Sequence, residues 1–184
     1  MKILSVLLLL VTLPVWLLAT LPAWAACGDA AGPGVDWSTC AMAHADLSGA
    51  QLAKGSFIRT RLNGANLERA DFTEAILKQV GFQMTRLAGA HFDRADLSAA
   101  KLGGADLSGA SLRDAQLSTA SLAGADLAGA DLRGAKFDGA FLVGADLKGA
   151  QIKNAVFEGA NLTRARWTDG RICGSRSIGV CKAE

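Results

Sequence analysis

From Leu47 to Ile172, every fifth residue is large and apolar. The 26 positions of that series hold only Leu, Phe, Ile or Trp, and the residue two places before each is Ala in 21 of them. Typical units are Ala105-Asp106-Leu107-Ser108-Gly109 and Ala125-Asp126-Leu127-Ala128-Gly129. A period of five suits neither regular element. On a helix, five steps of about 100° advance about 500°, which scatters the Leu side chains around the axis. On a continuous strand, each fifth residue falls on the opposite face. Ala and Leu two apart, however, share one side of a short extended piece. The next two residues must then turn the chain so that the following Ala-x-Leu also points inward. Gly recurs at those corners, at Gly49, Gly64, Gly109, Gly129 and Gly149 among others, as a tight turn or a positive φ favours. Each pentapeptide therefore reads as one short side and one corner of a coil.

The A-(D/N)-L-x-x pattern over about residues 45–172 resembles the pentapeptide repeat proteins. The resemblance implies an all-β chain, a right-handed quadrilateral β-helix with four pentapeptides to a coil. Residues twenty apart then stack about 4.8 Å apart, and about 6.5 coils form a rod roughly 30 Å long. Ala at the outer inward position and Leu or Phe at the centre fit a narrow core. Five inner positions depart from Ala: Gly55, Thr60, Val80, Thr85 and Gly170. Val80 and Thr85 sit together, so a local widening is expected there, unless the coil absorbs one larger residue.

The ends of the chain differ from its middle. Residues 1–25 read as a secretory signal: Lys2 supplies the charge, Ile3 to Leu13 the apolar stretch, and Ala23-Trp24-Ala25 a small-x-small cleavage site. Cleavage is expected after Ala25 or Ala26. An uncleaved anchor or a lipoprotein acylated on Cys27 is the alternative, but Trp24-Ala25-Ala26 lacks the Leu usual three residues before a lipidated Cys. Residues 26–44 read as an N-terminal cap, 45–169 as the solenoid and 170–184 as a C-terminal cap, because the first and last coils must cover exposed edges and apolar interior. On a rod of the implied length, Cys27 can reach only Cys40, and Cys173 only Cys181, since bridged Cα atoms lie within about 7 Å. The alternative for four cysteines is metal ligation, although there is no Cys-x-x-Cys and neither His lies near the C-terminal pair. Val35-Asp36-Trp37-Ser38-Thr39-Cys40 and Trp167-Thr168-Asp169-Gly170-Arg171-Ile172-Cys173 resemble the flanks of exported bacterial pentapeptide repeat proteins. That implies a periplasmic or secreted protein of a Gram-negative envelope, touching membrane only through the signal before cleavage.

Stacking at twenty residues turns the outward positions into columns. Asp71, His91 and Ser111 form one, with the residue types of a nucleophilic triad. Catalysis also needs an oxyanion hole and a cleft that excludes water, and no insertion interrupts the register to build one. The column is read as solvated. Asp106, Asp126 and Asp146 form another, which a Ca²⁺ could bridge. A full oxygen shell is not visible, so solvated carboxylates are expected, and no cofactor. Arg113, Arg133 and Lys153, flanked by Asp93 and Asp114, make a short basic ladder, which is either a contact for a polyanion or a solvated, mixed-charge face. Ile58, Ile76, Phe141, Val143 and Val156 should point outward; Phe141 and Val143, flanking Leu142, are either a contact patch or simply tolerated exposed apolar residues.

Some pentapeptide repeat proteins imitate DNA and bind type II topoisomerases, a role that calls for a strongly acidic rod in the cytoplasm. Without Lys2, this chain has 18 Lys and Arg against 17 Asp and Glu, and the signal directs it away from DNA. A nucleic-acid partner and that inhibitor role are therefore set aside, as is a serine hydrolase. The expectation is a non-catalytic, rigid structural or protein-interaction module exported to the envelope. Its partner is an envelope protein or polymer, or a second copy in a homodimer. The alternative is a binder of an anionic envelope polymer, using Arg113, Arg133 and Lys153.

Overall fold

One pentapeptide shows why the chain coils. In the computed structural model, which describes residues 26–182, all five N–H groups of residues 106–110 are used. Asp106 N–H donates one coil back to the Thr85 carbonyl at 3.0 Å, and Leu107 N–H one coil on to Asp126 at 2.7 Å. Gly109 N–H donates one coil on to Ala128 at 2.9 Å, and Ala110 N–H closes the corner on Leu107 at 3.0 Å. The fifth donor, Ser108 N–H, takes the Asp106 carboxylate at 3.0 Å. Backbone donors shut away from water must find acceptors. This unit satisfies them with neither helix nor long strand.

Repetition of the unit gives a ladder of parallel bridges between residues twenty apart, from Asp36↔Ser56 to Asp146↔Arg166. The result is the four-sided β-helix. The ladder starts at Asp36, inside the segment assigned above to the N-terminal cap. We name each side by its first centre residue: the Trp37, Met42, Leu47 and Leu52 faces. The core runs down the axis. Mid-rod centres such as Leu107, Leu112, Leu117 and Leu122 are fully buried, as are Ala110, Ala115 and Ala120 beside them. Near the ends the filling loosens, with Met42, Leu47, Ile152 and Trp167 only partly buried. Aromatic centres fill the N-terminal half, where Phe72 stacks on Phe92 at 5.2 Å and meets Phe57 edge-on at 5.2 Å.

Every corner from Thr39 to Arg164 has positive φ at its second turn residue, whether Gly or not. Among the non-Gly residues held there are Arg59 at 57°, Met84 at 56° and Thr119 at 58°.

The inner positions that are not Ala have separate explanations. A Cβ on Gly55 would lie 2.6 Å from the Phe57 ring, so Gly there makes room for that ring. Thr60 and Thr85 are buried, and their hydroxyls donate to the carbonyls of Trp37 at 2.7 Å and Leu62 at 2.9 Å. Around Val80 and Thr85 the coil does not widen. Arg61, Gly81 and Lys101 stay bridged, and Gly81 N–H still reaches Thr60 at 2.8 Å. Val80 is fully buried in the core.

Both ends carry disulfides, Cys27–Cys40 and Cys173–Cys181, and none of the four cysteines is free for a metal. Cys40 occupies an inner Ala position and is buried, tying the short 3-10 turn Ala26–Gly28 to the first coil. At the other end the chain reverses and pairs antiparallel, Asn161 with Ile178 and Arg166 with Ile172. Ile172 therefore leaves the inward series to which its spacing assigned it and is 50 % exposed. The signal expected over 1–25 lies outside the described residues.

Candidate interaction face

The position before each centre is where Asp recurs, and the turn explains why. Its carboxylate accepts the one backbone N–H that the coil leaves over, as Asp46 does from Ser48, Asp71 from Thr73, Asp96 from Ser98 and Asp126 from Ala128. Asn66 and Asn161 do the same for Glu68 and Thr163. The Asp106, Asp126 and Asp146 column is thus a series of turn caps, and Asp146 also pairs with Arg166 at 3.2 Å. No cluster of three His, Cys, Asp or Glu suited to a metal occurs among the described residues.

The structure stacks Asp71, His91 and Ser111 as consecutive bridge partners. It does not link them as a relay. The Ser111 hydroxyl donates to Asp93, and Asp71 accepts from Thr73 N–H at 2.9 Å. Among the described residues, no hydrogen bond joins His91 to either.

Arg113, Arg133 and Lys153 stack on the Leu52 face, and carboxylates are threaded between them. Asp131 accepts Arg133 through two nitrogens, at 2.8 and 2.5 Å, and lies 3.8 Å from Arg113. The Arg133 hydrogen bond, with the charges of both arginines, holds the Asp131 carboxyl below its ordinary range. Asp93 meets Arg113 N–H at 3.2 Å. Two of the three rungs therefore have anions beside them within the molecule.

The Met42 face is different. From Ala41 to Arg164, none of its positions is Asp or Glu. Each other face carries several: Asp96 and Asp138, then Asp106, Asp126 and Asp146, then Asp71, Asp93 and Asp131. Its positions before the centre are Ala41, Arg61, Gly81, Lys101, Ser121, Phe141 and Asn161, where the other faces favour Asp. The half nearer the C-terminus is smooth, with Gly103, Gly104, Ala123, Gly124 and Gly144 outward. From it Phe141 stands 51 % exposed, with Val143 half-buried beside it. Met84, 73 % exposed, lies against Gly104, where an added Cβ would come 2.5 Å from its sulfur. Met84 was absent from the outward apolar residues read from the sequence, because corners were read as Gly positions. Of the five that were named, Ile76, Phe141 and Val156 are exposed, while Ile58 and Val143 are half-buried.

Comparison with known proteins decides the family. One family model, described as a pentapeptide repeat region, matches residues 35–112; a second, described as pentapeptide repeats in eight copies, matches 110–149 and 125–166. The chain belongs to the pentapeptide repeat family. Solved pentapeptide repeat proteins are similar to it at low identity. HetL of the cyanobacterium Nostoc, described as involved in heterocyst differentiation regulation, is 23 % identical over 81 % of this chain and 95 % of its own, with a TM-score of 0.40. QnrB1, a plasmid-mediated fluoroquinolone resistance protein, is 20 % identical over 82 % of this chain and 91 % of its own, TM-score 0.35. A pentapeptide repeat protein of the Arabidopsis thaliana thylakoid lumen is 28 % identical over 75 % and 84 %, TM-score 0.25. A search of the curated proteins found no match.

Proposed function

We propose that this pentapeptide repeat protein is a non-catalytic, rigid interaction module of the cell envelope, and that it docks a partner protein on the Met42 face, around Phe141 and Val143. The observation behind this reading is the face itself: a smooth surface without carboxylates, on which an aromatic ring is half exposed. Aromatic side chains with low ordering cost anchor interfaces, and small neighbours let a partner approach closely. The rod pre-organises that surface, so little conformational entropy is lost on docking. Export is supported by the leader-like stretch at 1–25 and by the pairing of all four cysteines, which suits an oxidising compartment.

A photo-crosslinking residue placed at Phe141 should capture a discrete partner from native envelopes, whereas one at Gln151, on the opposite Leu52 face, should not. Phe141→Glu should remove capture through a second site on the Met42 face, Ala123, without lowering the melting temperature. Equal capture from Gln151 would overturn the assignment of the face. Labelling by a serine-directed fluorophosphonate that requires both Ser111 and His91 would overturn the non-catalytic reading.

A further inference from the structure

At the other end of the Met42 face lies a groove of about 540 Å³, where this face meets the corner of the Trp37 face. Its floor is Gly81, buried and without a side chain, with Arg61 bridged on one side and Lys101 on the other. Those two cations lie two coil rises apart, about 10 Å, and their side chains are long enough to converge over the glycine. Arg59 flanks them, its Nε spent on Gln79 Oε1 at 3.0 Å, with no hydrogen bond from its terminal nitrogens among the described residues. Asn63 and Gln83 complete the wall.

Three observations point to a ligand. First, none of the three cations has a carboxylate partner among the described residues, and no carboxylate lines the groove, in contrast with the Asp131-threaded ladder on the Leu52 face. Second, Gln83 Oε1 is shut away from solvent with no hydrogen-bond partner. An unsatisfied buried acceptor is costly, and a ligand O–H would satisfy it once the flexible Gln83 amide turns out toward the groove. Third, a Cβ on Gly81 would sit 2.7 Å from Asn63 Oδ1 and 3.3 Å from Gln83 Oε1, so the glycine lets those two amides close over the floor of the groove.

We propose that this groove binds an acidic carbohydrate. Guanidinium forks and an ammonium suit an anionic group on a sugar. Side-chain amides, each a donor and an acceptor, suit its hydroxyls. The volume lies within the roughly 300–1,000 Å³ usual for small-ligand sites. The assignment does not rest on the partner-protein reading, because the groove and the Phe141 patch share no residue.

The test is titration of the purified protein with an oligogalacturonate and with a sulfated oligosaccharide, followed calorimetrically. A neutral malto-oligosaccharide and an oligoglutamate serve as controls. At least one acidic sugar should bind, losing affinity as salt screens the cations, and which of the two binds identifies the anionic group. The malto-oligosaccharide should not bind, and oligoglutamate should bind about tenfold more weakly or not at all, lacking hydroxyls for the amides. Gly81→Asp sets a carboxylate between Arg61 and Lys101, at a position where Asp is native to other turns, and should cut affinity at least about tenfold. Lys101→Gln should also weaken binding, at an unchanged melting temperature, whereas Arg133→Gln should leave it intact. Failure of both acidic sugars to bind, or binding that survives Gly81→Asp and Lys101→Gln, would overturn the proposal. Oligoglutamate binding as tightly as the sugars would also overturn it and assign the groove to an acidic peptide.

Discussion

Thr119 is held at a φ of 58°, a region that L-residues enter at a cost of about 1–2 kcal/mol and that crowds β-branched side chains most. It stays there because its N–H reaches Asp138 one coil on, at 2.9 Å, and the same bond recurs at nearly every corner. Replacing it with glycine removes the steric cost and adds about 0.5–1 kcal/mol of unfolded-state entropy. Thr119→Gly should therefore stabilise the rod by up to about 1 kcal/mol. Gly134→Ala should do the reverse, because that glycine has φ 73° and its added Cβ would run into the Asp114 carboxylate. Thermal melting of the two variants checks both signs. The recurrent corner glycines make the turn legible in the sequence. Arg59, Met84 and Thr119 do not, since nothing in their identity announces a left-handed backbone. Their conformation is imposed by neighbours twenty residues away.

At the scale of the turn, the recurring carboxylate carries a pH dependence. Asp46 is held below the ordinary carboxylate range by the Ser48 N–H, chiefly, and then by its hydroxyl; Asp36 by the Ser38 hydroxyl and N–H; and Asp131 by Arg133. A carboxylate depressed in the folded state stabilises the fold at pH values above its unfolded pKa. That contribution fades as pH falls through the folded value. Stability should thus be flat near neutrality and decline in acid, below about pH 4. Replacing Asp46 with Asn, which keeps an acceptor for Ser48, should flatten the acid limb in urea titrations at several pH values. An acid limb unchanged in Asp46→Asn would show that this cap contributes nothing to it. The sequence displays the Asp-centred motif plainly, yet its job was invisible there. A column of aspartates looks like solvated surface until one counts which backbone donor the coil leaves unpaired.

For the whole molecule, four sides that look alike in a repeat differ once the register is known. Phe141 and Val143 could be picked from the sequence as outward apolar residues, and Arg113, Arg133 and Lys153 as a ladder. The absence of carboxylates along the Met42 face could not be used until the bridges established which residues share it. The groove was hidden for a related reason, because it depends on a missing side chain at Gly81 and on the amide orientations of Asn63 and Gln83. The same bridges have a mechanical meaning. Each parallel bridge joins residues twenty apart, and among the described residues no backbone hydrogen bond between coils reaches much further along the chain. Under tension at its two ends, such a rod has no clamp that must rupture as a unit. It peels from an end, one turn at a time, each turn paying out about 65 Å of slack. Single-molecule stretching should show a train of small, evenly spaced extensions in place of one large event. A single all-or-none rupture would mean that the coils share load. A body of this kind yields gradually to a steady pull, and every coil still seated keeps its outward faces in register.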